Sequence, residues 1–234
     1  MNTLAVSAAF TREHLRTRLN LVLLIIIPTV FVVLAASVLG DFSTALGGRL
    51  AGQGATALGA GWAAAYLAGL LGFFEVASSR DADRRLALAG LGPLRVAAAR
   101  LLASLALALI VTAVAMVVLL LRARIEHPEH AALGIAAYAV TYLAIGSIVG
   151  AFVRDPLTGS MAVMFVFLID TFSGPGMGQS AIPTVSTYPA RLLMAAGAGG
   201  ASSTSDWARA VVTILVALCL AAGTFWLAAR ARSR

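Results

Sequence analysis

The chain has 234 residues, of which 60% are hydrophobic and 12% charged, with a mean hydropathy of +0.94. Soluble domains carry about 25% charged residues, so a water-soluble fold is excluded and little length is left for a soluble appendage. Seventeen cations, all arginine, face ten carboxylates for a net charge of +7, and they stand in short clusters beside apolar blocks rather than on one basic face; that distribution argues against a nucleic-acid partner and for membrane topology.

The N-terminal segment 1–18 sets Leu4, Ala8 and Leu15 at helical spacing among Arg12, Glu13, His14, Arg16 and Arg18, the pattern of an interfacial helix. Thr11 interrupts the stripe, and a frayed basic anchor is the plainer alternative. Six apolar blocks of membrane-crossing length follow, approximately Leu19 to Leu39, Ala55 to Ala77, Val96 to Leu121, Ala131 to Val153, Leu157 to Phe172 and Ala208 to Ala229. The predicted fold is all-α, one transmembrane domain over 1–234. The first block is longer than the apolar core of a signal peptide and no small-residue cleavage site closes it, so it is expected to stay in the mature protein. Pro28 sits inside it, where it frees a carbonyl and tends to kink the helix.

With six spans and a cytoplasmic N-terminus, the inner segments hold Arg12, Arg16, Arg18, Arg80, Arg84, Arg85, Arg95, Arg100, Arg154, Arg230, Arg232 and Arg234, twelve of the seventeen. That bias places both termini in the cytoplasm. Asp41 to Gly54, rich in Gly, Ser and Thr, then reads as an external loop. Gly61, Ala65 and Gly69 in the second span, and Gly146 and Gly150 in the fourth, recur at four-residue intervals, a spacing that lets helix backbones approach closely in lipid.

The most polar stretch runs from Glu75 to Arg100, on the inner side of spans two and three. Ser78 and Asp81 resemble a capping-box start, Asp81 precedes Arg85 by one turn, and Leu86 and Ala89 give an apolar side before Gly90 and Gly92 stop the helix. Pro93 then suits the first turn of the next helix. Segment 78–92 is therefore expected to be a short amphipathic helix beneath the membrane. Segment 173–206, outside and between spans five and six, has almost no charge yet is broken by Pro175, Pro183 and Pro189. Its short apolar pieces, such as Arg191 to Ala196, are expected to dip into or lie on the outer leaflet.

The chain offers little chemistry of its own. A phosphate-cradling loop needs a lysine and the sequence has none, and neither a Gly-x-Ser-x-Gly elbow nor an HExxH helix occurs. Glu126, His127, Glu129 and His130 are the one cluster of metal-ligating types, but Pro128 splits them in a short outer loop, and they read as a solvated hairpin with no metal expected. Cys219 is alone in its span and forms no intrachain disulfide. Glu75 and Asp170 end apolar blocks; carboxylates in a membrane mark pathways or gates, and the plainer alternative puts both at an interface, Glu75 near Arg80 and Asp170 near the outer face.

This arrangement resembles the permease subunit of ABC-2 type transporters, the drug, antibiotic and polysaccharide exporter class. The resemblance rests on the basic amphipathic N-terminus, on EVASSRDADRRLALAGLGPLRVAAARLLAS between spans two and three, and on FVFLIDTFSGPGMGQSAIPTVSTYPARLLMAA before the last span. The middle segment follows the family's order of an acidic residue, a charged turn, a short Leu-containing helix, a small residue with Pro, and a basic helix, though it lacks the Gly-Thr pair frequent there. In the last segment Pro183 and Pro189 bracket an apolar stretch as in the family's outer re-entrant helices.

The resemblance implies a transport subunit without its own ATPase site, whose cytoplasmic coupling helix docks on a separate ATPase through Arg80, Asp81, Asp83, Arg84, Arg85 and Leu86. Two permeases, identical or homologous, and two ATPases supplying the ATP and Mg chemistry would form the unit in a bacterial cell membrane. Glu75, Asp170, Pro183 and Pro189 become candidate pathway or gating residues. The apolar spans and nearly uncharged outer segment favour a hydrophobic or amphiphilic cargo such as an antibiotic, a peptide or a lipid. Two rivals stand beside this reading: an ion-coupled secondary transporter using Glu75 or Asp170, and a non-transporting immunity or assembly protein.

Overall fold

The computed structural model describes residues 3–16, 18–34, 38, 40–45, 50, 52–79, 82, 86, 92–177, 184–198 and 204–232. Among them the regular elements are all helical: α1 (Thr3–Arg16), α2 (Arg18–Leu34), α3 (Gly40–Ala45), α4 (Gly52–Ser78), α5 (Pro93–Arg122), α6 (Pro128–Phe152), α7 (Pro156–Ser173), a 3-10 turn (Pro175–Met177), α8 (Thr187–Ala198) and α9 (Thr204–Arg232). Three of the long helices begin on proline. Its missing N–H falls where a helix has no acceptor for one, and its fixed φ suits the first turn. Pro93 follows Gly92 as expected, and at α7 the Asp155 carboxylate caps the start by accepting from the Thr158 N–H at 2.7 Å and the Thr158 hydroxyl at 2.6 Å.

Five helices, α4, α5, α6, α7 and α9, are long and apolar enough to cross a bilayer, and the protein is a multi-pass membrane protein. Their bounds lie within four residues of the second to sixth predicted spans. Of the first predicted span the described residues include α2 (Arg18–Leu34), with Pro28 inside it, and Val38; residues 35–37 and 39 lie outside them. The expected outer loop from Asp41 to Gly54 is also partly helical, because α3 lies within it and the Leu50 N–H closes back on the Ser43 hydroxyl at 3.2 Å.

The core is the α4–α6 pair, whose helices pack more extensively than any other two. The glycine stripes produce this contact. A methyl group on Gly146 would strike the Gly69 carbonyl, one on Gly72 would strike the Leu143 carbonyl, and one on Gly150 would sit 2.6 Å from the Phe73 carbonyl. Where lipid supplies no hydrophobic drive between helices, such backbone approach supplies the dispersion contact instead. On one side α8 packs against both helices, with the Leu193 side chain filling the notches at Gly61 and Gly134. On another, Phe31 of α2, Tyr66 of α4, Tyr142 of α6 and Phe167 of α7 form a ring cluster with centroids 5.5 to 6.3 Å apart. At the periphery, α5, α7 and α9 turn large apolar side chains outward, including Leu109, Val117, Phe165, Ile169, Leu215 and Leu227. A soluble protein would aggregate through such a surface, whereas hydrocarbon solvates it.

Candidate functional site: two buried carboxylates

Glu75 lies in the last turn of α4 and Arg100 in the third turn of α5, so the polar stretch between these helices starts and ends at one end of the bundle. The Arg100 Nη1 donates to Glu75 Oε1 at 2.6 Å, and both side chains are buried. The guanidinium also lies over the Phe10 ring of α1, 4.4 Å from its centroid. Two buried opposite charges with a cation–π contact bind α1, α4 and α5 at a single point. The partner suggested by sequence proximity, Arg80, lies outside the described residues, as do Asp81, Asp83, Arg84 and Arg85; Leu86 is described and half-buried.

Asp170 lies in the last turn of α7, and its side chain is covered rather than exposed there. Its carboxylate accepts from the Tyr142 hydroxyl at 2.7 Å (Oδ2) and from the Ser186 N–H at 3.5 Å (Oδ1), and it is buried. Tyr142 stands ten residues before the Phe152 end of α6 and fourteen after Pro128, about 15 Å and 21 Å along the axis. The carboxylate thus sits level with the middle of α6. The chain beyond α7 makes this possible: α8 begins beside Ser186 at that depth and runs to Gly197, whose backbone meets Gln53 at the start of α4. The segment covers Asp170 instead of leaving it at a surface. Tyr138, one turn from Tyr142 and also buried, lies within electrostatic reach of the same carboxylate.

The Thr141 hydroxyl, which lines a cavity between α6 and α9, is buried with no hydrogen-bond partner among the described residues. Threonine in a helix ordinarily back-bonds to the preceding turn, so this oxygen is unusual. Pro189 occupies the first turn of α8, where proline is tolerated; it is buried and its carbonyl faces Gly134 of α6. Pro183 lies outside the described residues.

At the opposite end of the bundle from Glu75, His127 Nδ1 lies 3.2 Å from Glu129 Oε1 and His130 Nε2 lies 4.0 Å from the same oxygen. The imidazoles stack at 4.8 Å and His130 meets the Trp207 ring edge-on at 5.4 Å, which ties the start of α6 to α9. Two imidazoles and a carboxylate suit a borderline transition metal, but the positive end of the α6 dipole opposes a cation there. Glu126 does not join the group.

Sequence reasoning named both carboxylates but missed Arg100, Tyr142, Tyr138 and Ser186. The sequence places Arg100 as an inner-side charge at the end of the polar stretch, not as the partner of Glu75. The tyrosines carried a usable signal, because a Tyr hydroxyl deep in an apolar span needs a polar partner. No family model matches this chain, and no curated protein matches it either.

Proposed function

We propose that the chain is the transmembrane permease subunit of an ATP-driven ABC exporter that moves a hydrophobic or amphiphilic substrate out of a bacterial cell, energised by a separate ATPase subunit. In this reading α2 is a sixth span, α1 lies at the inner interface, segment 78–92 is the cytoplasmic coupling element, and α8 re-enters from the outer side. Both termini face the cytoplasm. The observation that carries the reading is the Glu75–Arg100–Phe10 tie. A push on the polar stretch between α4 and α5 reaches both helices through a buried ion pair rather than through a slack loop, which is what a mechanical input needs. Because α4 is packed backbone to backbone on α6, displacement of its end must move the core pair together.

The test is reconstitution with and without the ATPase. The chain alone in liposomes moves nothing uphill, whereas the complex couples ATP hydrolysis to transport and R84E/R85E uncouples it while the permease stays folded in the membrane. Sustained gradient-driven pumping by the chain alone would overturn the reading. One observation favours a second reading, ion-coupled transport: Asp170 is a buried carboxylate between apolar helices, the kind of group ion relays use. For that reading, D170N abolishes proton-driven uptake in the same liposomes.

A further inference from the structure

On the flank formed by α8 and α9, two cations converge on one aromatic ring. The Arg191 guanidinium of α8 lies 5.9 Å from the Tyr188 ring centroid and that of Arg209, at the start of α9, lies 5.2 Å from it. Both arginines are exposed, and neither forms an ion pair among the described residues. Stacking on a ring occupies the guanidinium face and leaves its edge N–H groups free, the geometry that receives a phosphate in two-pronged fashion.

Directly beyond Tyr188 a cavity of about 310 Å³ opens between α6 and α9, walled by Ile145, Val212, Val216 and Leu220. It adjoins a second cavity of about 780 Å³ through Ile148 and Leu220, which line both. From Arg209 to Leu220 the helix rises about 16 Å, close to half of a hydrocarbon core of about 30 Å. Positive charge therefore sits at the depth of a headgroup, and an apolar trough descends from it over the length of one leaflet.

We propose that Arg191, Arg209 and Tyr188 bind the phosphate of one anionic phospholipid of the bilayer, with an acyl chain lying in the α6–α9 trough. Charge complementarity selects this occupant. A zwitterionic lipid brings its own cation to a site already holding two, and a free anion leaves the apolar walls unused. The site depends on insertion of the protein in a bilayer and is independent of whether ATP or an ion gradient drives transport.

Native mass spectrometry of the purified full chain, after exposure to equimolar phosphatidylglycerol and phosphatidylcholine, tests it. One phosphatidylglycerol per chain is retained in preference. Each arginine near an anionic lipid contributes roughly fivefold, so R191Q/R209Q lowers retention about twenty-five-fold, R191K/R209K, which keeps the charge but not the stacked fork, falls between the parent and R191Q/R209Q, and R154Q, at the far end of the second cavity, leaves it unchanged. Equal retention of the two lipids, unaltered retention in R191Q/R209Q, retention in R191K/R209K no better than in R191Q/R209Q, loss in R154Q, or displacement by millimolar inorganic phosphate would each overturn the proposal.

Discussion

Replacing Arg100 with Met removes the 2.6 Å donor from the buried Glu75 carboxylate. The parent has a 2.6 Å contact between side chains that are only 9% and 4% exposed, so bulk water does little to screen either charge. Removing one member of such a pair costs about 3 to 5 kcal/mol, whereas replacing both with apolar residues of similar volume is close to neutral. A double-mutant cycle isolates the coupling: R100M and E75L each lower unfolding stability in mild detergent by about 3 kcal/mol or more, and E75L/R100M recovers most of that loss. Phe10→Leu, which removes the ring beneath the guanidinium, costs a further amount of about 0.5 to 2 kcal/mol. Chemical denaturation followed by tryptophan fluorescence reads these differences. Single substitutions that each cost under about 1 kcal/mol and simply add in the double variant would refute the buried-pair argument and, with it, the rigid tie between α1, α4 and α5.

Gly146→Ala pushes a methyl group into the Gly69 carbonyl and destabilises by about 1 to 3 kcal/mol, whereas Gly223→Ala, with nothing within 4 Å of the new methyl, is neutral or mildly stabilising; paired thermal melts separate them. Tyr142→Phe removes the 2.7 Å donor from the buried Asp170 and costs about 1 to 3 kcal/mol, and D170N relieves the loss when combined with it. The Asp155 carboxyl is held below its ordinary range by hydrogen bonds from the Thr158 side chain and then its backbone. Its contribution to the α7 start is therefore present above the ordinary aspartate range and is lost as pH falls through the lowered native value. Hydrogen exchange at residues 157–159 should accelerate across that acid window in the parent, and Asp155→Ala should show fast exchange there at every pH.

Hydropathy made the five long spans legible because hydrocarbon length is a local requirement that each apolar block meets by itself. The glycine spacing in α4 and α6 foretold their close approach for a related reason: four-residue intervals put small residues on one face whatever lies opposite. Pro93 marked a helix start by its own backbone chemistry.

What the amino-acid order settled alone is the medium in which this protein folds and which segments cross it, since both follow from the free energy of burying consecutive side chains and backbone groups in lipid. Only the tertiary structure decided that Arg100, 25 residues away, reaches Glu75, and that the return of the chain into α8 covers Asp170 beside Tyr142. Those pairings depend on the rotation and relative depth of helices that lie far apart in sequence. Dispersion contacts at glycine faces set rotation and depth collectively, and no single segment encodes them.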